Sequence, residues 1–257
     1  KKKTGVATLA GRKSILTLAQ RMTCSFCRTL GASSANSDSW KKITSKTGDN
    51  IRIVSRNNLN DNGEPLGTIM CAISCAWFPV TQQSLFDFLR DEKRRHEWDV
   101  MFKGNKAQVI ANLAKGQDPG NVVTALAMNP DEHKMRLLQD CSTNSYESMV
   151  VYSPVGLNGM ESVIAGCDSS CIQVLPSGFS ILPDGIESKP FLISCCSSSR
   201  SSDEKRSKEE GGSVLTFGFQ VLISSSNDNN SSDSVDSITS LVSSSFQNIR
   251  RSLQCQE

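Results

Sequence analysis

The residues best suited to metal binding are few in this sequence and poorly spaced for it. Cys24 and Cys27 form a Cys-x-x-Cys pair, the spacing of a redox motif or of half a zinc site. A zinc site needs a second pair of ligands at matching spacing, and none follows. The adjacent Cys195 and Cys196 cannot chelate one ion in the usual geometry. We therefore predict no metal site and expect Cys24 and Cys27 to serve as small apolar residues.

The sequence also has no set of residues suited to acid–base or nucleophilic catalysis. Of the two histidines, His96 follows a charged run and His133 lies in a turn, and neither has a suitable nucleophile beside it. Segment 176–180 lacks the first glycine of a G-x-S-x-G nucleophile elbow and is better explained as a turn between two strands. Gly116 and Gly120 lack the lysine and hydroxyl of a phosphate loop. The sequence predicts no catalytic residues, no cofactor and no enzymatic activity.

The composition narrows the class of protein further. A length of 257 residues suits one large α+β domain or two small ones. Lysine and arginine number 28 against 26 acids, so the near balance of charge implies no basic face for nucleic acid. Ten cysteines are scattered through apolar segments, which favours a reduced, intracellular protein over a disulfide framework. The longest apolar stretch, 69–80, is too short to span a bilayer.

The first elements of the chain are predicted from apolar spacing and turn residues. Ser14 is expected to cap a helix whose apolar residues recur at helical spacing, and Gly31 is expected to end it. Apolar residues then alternate along two segments, 49–56 and 69–77, which a turn at 60–63 joins. This part of the sequence predicts a helix followed by a β-hairpin.

A second helix and a series of strands follow the hairpin. Thr81 is expected to cap the helix, and most of the charged run 90–95 is expected to be its solvated end. A short helix is predicted at 157–165. Further strands are predicted at 107–113, 122–128, 134–139, 148–152, 171–175 and 214–223.

The strongest local signal is a long amphipathic helix near the end of the sequence. Asp233 is expected to cap it, and Arg250 and Arg251 lie near its end, where cations are favoured. Its apolar residues recur at helical intervals, at Val235, Ile238, Val242, Phe246, Ile249 and Leu253. Such a helix after many antiparallel strands predicts an α+β, helix-grip fold, in which a curved antiparallel sheet wraps the helix and often leaves an apolar cavity.

Two segments have no apolar periodicity. We predict that residues 1–11 are a linker and that 12–257 form one domain, with mobile loops near 197–212 and 224–232. Serines in the first of these loops lie beside basic residues and are candidate phosphorylation sites, although a solvated insertion explains the same composition. A set of aromatic residues could line a cavity or simply form the core, namely Trp77, Phe78, Phe86, Phe88 and Trp98.

Several segments carry a family resemblance that spans nearly the whole chain. They are 10–14, 76–81, 85–92, 97–99, 146–155, 175–185 and 248–254. Together they resemble the C-terminal, START-like region of class IV homeodomain–leucine-zipper transcription factors of plants. Segment 146–155 and the last helix resemble the Glabra-type branch, which implies control of epidermal cell fate.

The resemblance implies a nuclear, dimeric transcription factor that binds DNA through a homeodomain and forms a homodimer through a leucine zipper. Neither segment is present in this chain, so no residue here is expected to read DNA. The resemblance implies a START-like fold that acts as a non-catalytic regulatory domain through stability, partner contacts or a ligand signal.

The alternative is a lipid- or sterol-binding domain in its own right. That alternative requires an open apolar cavity under the last helix with one or two buried polar groups. Large side chains such as Trp77 and Phe217 packed against Phe246 would count against it.

Overall fold

The computed structural model describes residues 6, 8–35, 39–102, 107–127, 135–185, 211–223 and 231–255. In chain order its elements are α1 (Leu9–Ala35), β1 (Lys41–Thr44), β2 (Asn50–Asn58), β3 (Gly67–Phe78), α2 (Gln82–Arg90), α3 (Arg95–Trp98), β4 (Gln108–Ala114), β5 (Val122–Ala127), β6 (Met135–Thr143), β7 (Ser148–Gly156), α4 (Leu157–Ala165), β8 (Ser177–Pro183), β9 (Ser213–Ile223) and α5 (Ser231–Ser252). The predicted loops at 197–212 and 224–232 lie almost entirely outside the described residues.

All nine strands form one antiparallel sheet in the order β1-β2-β3-β9-β8-β7-β6-β5-β4. The last strand, β9, therefore lies between β3 and β8 in the middle of the sheet. Helices α2, α3 and α5 pack on one side of the sheet, here the inner face, and α1 and α4 pack on the other, the outer face. The predicted α+β, helix-grip arrangement is confirmed.

The C-terminal helix α5 packs its apolar stripe against the inner face. Its apolar stripe is buried as predicted, at Ile238, Val242, Phe246 and Ile249. The ring centroid of Phe246 lies 6.3 Å from that of Phe78 in β3 and 6.2 Å from that of Phe217 in β9. Full burial of one such side chain stabilises the fold by about 1.5–3 kcal/mol.

The outer face is covered by α1, whose ends differ from the prediction. The predicted stripe is buried at Ile15, Leu18, Met22 and Phe26. The helix nevertheless begins at Leu9 and ends at Ala35, so neither predicted end residue marks an end. Ser14 lies inside the helix and donates its hydroxyl proton to the Cys167 carbonyl. Gly31 also lies inside, because burial of the stripe outweighs a glycine penalty of about 1 kcal/mol.

Other predicted boundaries were also wrong. α5 begins at Ser231, which places Asp233 in its first turn rather than at its cap. Segment 176–180 is not a turn, since β8 begins at Ser177, and 171–175 is not a strand because it pairs with no neighbour. The short strand β1 was not predicted, because its four residues are mostly polar.

The sheet has a gap beside β8. This strand pairs with β7 only at Ser148–Tyr152, so the later residues of β7 and β9 have no strand between them. Residues 170–176, which we call the strap, lie over this gap. Within the strap, Leu175 donates its backbone N–H to Ser153 Oγ at 2.9 Å, and the Pro176 carbonyl accepts from Gln220 Nε2 at 2.8 Å.

Gly178 marks a close approach of β8 to β7. A Cβ atom at this position would lie 2.6 Å from the Val150 carbonyl oxygen and 2.8 Å from Val151 Cα, and neither backbone atom can move aside. We expect Gly178→Ala to lower the free energy of unfolding by about 2–3 kcal/mol in urea titrations. Gly116→Ala is the matched control, because nothing lies within 4 Å of its added methyl group. Equal urea midpoints for the two variants would contradict this packing.

Candidate functional site

The candidate site includes the segment between the end of α2 and the start of α3. The predicted helix cap is confirmed, since Thr81 Oγ1 accepts a hydrogen bond from the Ser84 backbone N–H at 3.1 Å. Asp91 ends α2 in an extended conformation, and α3 then starts at Arg95. The run 90–95 was predicted to be the mostly solvated end of α2. It lies almost wholly beyond α2, which ends at Arg90, and its last residue, Arg95, is only 1% exposed.

The Arg95 guanidinium is held by two hydrogen bonds. Its Nε donates to Asp99 Oδ2 at 2.9 Å, and its Nη1 donates to Oε1 of Gln139 in β6 at 2.8 Å. Gln139 is fixed in turn, because its Nε2 donates to the Arg90 carbonyl at 2.9 Å. The spacing of four residues places Arg95 and Asp99 on the same side of the chain. An inner-face carboxylate and amide therefore orient a buried cation.

Aromatic rings surround the same guanidinium. Its central carbon lies 4.0 Å from the ring centroid of Tyr152 in β7, 4.7 Å from that of Trp98 and 5.7 Å from that of Phe102. Each ring offers its negative face to the cation, an attraction that strengthens when water is excluded. The rings and the hydrogen bonds together fix the position of Arg95.

A cavity of about 750 Å³ lies beside this group. Its wall includes Arg95, Asp99, Tyr152, Phe217, Leu241 and Ser245. Arg95 Nη2 is buried and has no hydrogen-bond acceptor among the residues that the structure describes. Because a buried donor without an acceptor is costly, an oxygen atom of a ligand in the cavity would remove that cost.

Tyr152 adds a second polar group to the cavity wall. Burial raises the pKa of its phenol well above the usual value, and the nearby Asp99 carboxylate raises this pKa further. The phenol therefore stays protonated at neutral pH and remains a hydrogen-bond donor. This part of the cavity is suited to binding an acceptor oxygen.

Comparison with known proteins identifies the family of the chain. The sequence model of the family described as PDF2-like, C-terminal domain matches residues 8–255. The chain belongs to this family. The matched range contains every helix and strand described above, so the PDF2-like domain is the whole sheet together with the helices on both faces.

The relatives of the PDF2-like domain are homeobox-leucine zipper proteins. It is 52% identical to GLABRA 2 of Arabidopsis thaliana, over 98% of the chain and 33% of that protein. It is 46% identical to ROC9 of Oryza sativa subsp. japonica, over 98% of the chain and 32% of that protein. The chain thus spans about a third of the length of these relatives, and it belongs to a non-enzymatic family, as predicted. Among solved structures it is similar to human STARD10, at 14% identity and a TM-score of 0.40 over 87% of this chain and 76% of that one.

The aromatic residues singled out in the sequence of the PDF2-like domain divide into two groups. Phe78, Phe86, Phe88 and Trp98 are buried in the inner core. Trp77 is 55% exposed and does not line the cavity. Phe217 does meet Phe246, but a cavity remains beside them.

The remaining candidate residues do not converge on a site. His96 is exposed, and Cys24 and Cys27 are exposed free thiols on α1. His133, Cys195 and Cys196 lie outside the described residues. Within the ranges that the structure describes, no three His, Cys, Asp or Glu side chains gather as metal ligands, and no helix is long and apolar enough to cross a membrane.

Cys141 and Cys75 of the PDF2-like domain are expected to differ sharply in reactivity. Cys75 is exposed, whereas Cys141 is buried, and burial raises the pKa of the Cys141 thiol to about 12, with a further contribution from Asp140. At pH 8 only about one Cys141 side chain in ten thousand is then a thiolate. We expect iodoacetamide to modify Cys75 in the folded protein and to leave Cys141 unmodified until urea is added, as measured by peptide mapping. Rapid labelling of Cys141 without urea would contradict its burial.

Proposed function

We propose that the PDF2-like domain is a non-catalytic regulatory domain of a DNA-binding transcription factor that controls epidermal cell fate in plants. The observation that carries this proposal is the 52% identity to GLABRA 2, a homeobox-leucine zipper protein, over 98% of the chain. Because the chain covers 33% of that relative, we assign DNA binding to a homeodomain and homodimerisation to a zipper, both outside these residues. A nuclear location and a single domain are part of the same proposal, although the domain begins earlier than the predicted residue 12, because α1 starts at Leu9.

The domain would act through its stability, its contacts with partners or a bound ligand. A reporter assay in plant protoplasts tests the regulatory role directly. The chain is fused to an unrelated DNA-binding domain, and the output is compared with that of the DNA-binding domain alone. We expect the fusion to change the output, the Gly116→Ala variant to do the same, and the destabilised Gly178→Ala variant to have a smaller effect. A fusion that matches the DNA-binding domain alone would contradict the proposal.

A second function, binding of a lipid or sterol, is supported by a specific observation. The cavity between the inner face and α5 has a volume of about 750 Å³, within the range of small-molecule sites. Its wall holds Arg95 with the unpaired Nη2 atom, a buried polar group of the kind that orients an otherwise apolar ligand.

Native mass spectrometry of the chain purified from cells tests this second function. Ser245 is 2% exposed and lines the cavity, so Ser245→Phe would occupy the ligand volume with a ring. The matched control is Ser237→Phe on the exposed side of the same helix. We expect a co-purifying lipid in the wild type and in the control, and its loss in Ser245→Phe. Bare polypeptide in all three samples would rule out the lipid-binding function.

A further inference from the structure

The strap is a shared wall between the cavity and the outer face. Cys171, Ile172 and Leu175 line the cavity, and Ile172 and Leu175 also pack against apolar side chains of the outer face. On its outer side, it is bound by Arg21 of α1, whose Nη1 donates to the Ser170 carbonyl and whose Nη2 donates to the Ile172 carbonyl. The gap beside β8 therefore lets a segment that lines the cavity contact a helix on the opposite face of the sheet.

The β2–β3 hairpin joins the same contact. Val174 of the strap donates its N–H to the Gly63 carbonyl at 2.9 Å. A Cβ atom on Gly63 would lie 3.0 Å from Arg21 Nη1, so the hairpin packs directly against the guanidinium. Arg21, the strap and the hairpin thus form one contact region on the outer face.

Besides local bonds to Asp168 and Ser169, residues 170–175 hydrogen-bond to three groups of the outer face. These are Arg21, Gly63 and Ser153. A molecule in the cavity would contact the same strap, since Cys171, Ile172 and Leu175 line the cavity. Any displacement of the strap by that molecule must therefore change the hydrogen bonds that Arg21 donates, because the two Arg21 acceptors are backbone atoms of the strap itself.

We propose that occupancy of the cavity is transmitted through the strap to Arg21 and α1. This inference rests on the proposed ligand binding and assigns to it a route out of the cavity. α1 is the first helix of the matched region in sequence. A change at Arg21 would thus alter the outer-face surface of α1.

A double-mutant cycle tests the coupling without any ligand. Ser245→Phe adds a ring to the cavity from α5, and Arg21→Ala removes the outer-face contact with the strap. The two residues lie on opposite faces, so independent effects on the unfolding equilibrium constant would multiply. We expect the unfolding equilibrium constant of the double variant to differ by about fivefold or more from the value obtained by multiplying the effects of the two single variants. Arg21→Lys, which keeps the charge, serves if Arg21→Ala does not fold.

The matched control for the cycle is Arg28→Ala. Arg28 is exposed on the same helix, and its side chain donates to the Cys24 carbonyl within α1 rather than to the strap. We expect the effects of Arg28→Ala and Ser245→Phe on the unfolding equilibrium constant to be independent, so that they multiply. If the effects of the Arg21 variants and Ser245→Phe were also independent, the proposed coupling would be overturned.

Hydrogen exchange with oleic acid as the probe tests the same route with a ligand. We expect oleic acid to slow amide exchange in the strap and around Arg21 in the wild type and in Arg28→Ala. In Arg21→Ala, the probe should still slow exchange in α5 but no longer in α1. Binding that protects α5 and leaves α1 unchanged in the wild type would overturn the coupling. Absence of binding would count against the lipid-binding function, while the double-mutant cycle still decides the coupling.

Discussion

Asp99→Asn is expected to lower the free energy of unfolding by about 3 kcal/mol, because it leaves a buried cation without its counter-charge. Arg95 is 1% exposed, and the Asp99 side chain is 11% exposed, so little water reaches either group. Asparagine keeps the shape of the aspartate but removes its charge. Urea titration followed by circular dichroism measures the loss.

A second acid–arginine pair provides the control for this prediction. Asp87 and Arg90 in α2 are joined at 2.7 Å, but their side chains are 45% and 31% exposed. Asp87→Asn should therefore change the free energy of unfolding by less than about 1 kcal/mol. Replacing both buried partners, as in Arg95→Met with Asp99→Leu, should restore most of the lost stability, since no charge remains buried. Equal losses for Asp99→Asn and Asp87→Asn would show that Arg95 is solvated.

Phe246→Ala is expected to lower the free energy of unfolding by about 4 kcal/mol, because it removes a fully buried ring from the centre of the inner core. Phe246 is 0% exposed and packs against Phe78 and Phe217. Its loss would leave a void between α5 and the sheet. Thermal and urea unfolding of the isolated chain measure the change.

Trp77→Ala is the matched control for the core substitution. Trp77 is the larger aromatic residue but is 55% exposed, so its removal should cost clearly less, about 1–2 kcal/mol. A similar cost for Trp77→Ala and Phe246→Ala would mean that α5 is not the centre of the inner core.

Much of the fold could be predicted because several signals are local. The apolar spacing along α5 alone identified the side of the helix that meets the sheet, and Thr81 capped α2 as its position indicated. The short helix α4 also has the predicted bounds. In each case the deciding interactions join residues a few positions apart or follow a regular period.

The candidate site could not be predicted because its partners come from distant strands. Arg95 ends a run of charged residues, which normally indicates solvated chain. Its burial depends on Gln139 in β6 and Tyr152 in β7, and no local pattern brings these residues to α3. The one available signal was the Trp98-Asp99 pair that follows Arg95, since it places a ring and a counter-charge within one helical turn.

The strand predicted at 171–175, within the strap, was wrong for a related reason. Its apolar residues favour a strand, yet the segment has no pairing partner because β8 begins only at Ser177. A strand exists only where a neighbour completes its ladder, and strand order across a sheet is a long-range property. The position of β9 between β3 and β8 could not be predicted from local patterns for the same reason, because it is also a matter of strand order.

That central position of β9 constrains how the protein is made. During synthesis, β1 to β3 and β4 to β8 leave the ribosome as two separate antiparallel units, and β9 joins them only after Ile223 has been added. Until then β3 and β8 each have an unpaired edge, which invites pairing with other chains. A chain truncated before Ser213 would therefore contain two incomplete sheets, and the exposed edges of β3 and β8 could pair with other chains.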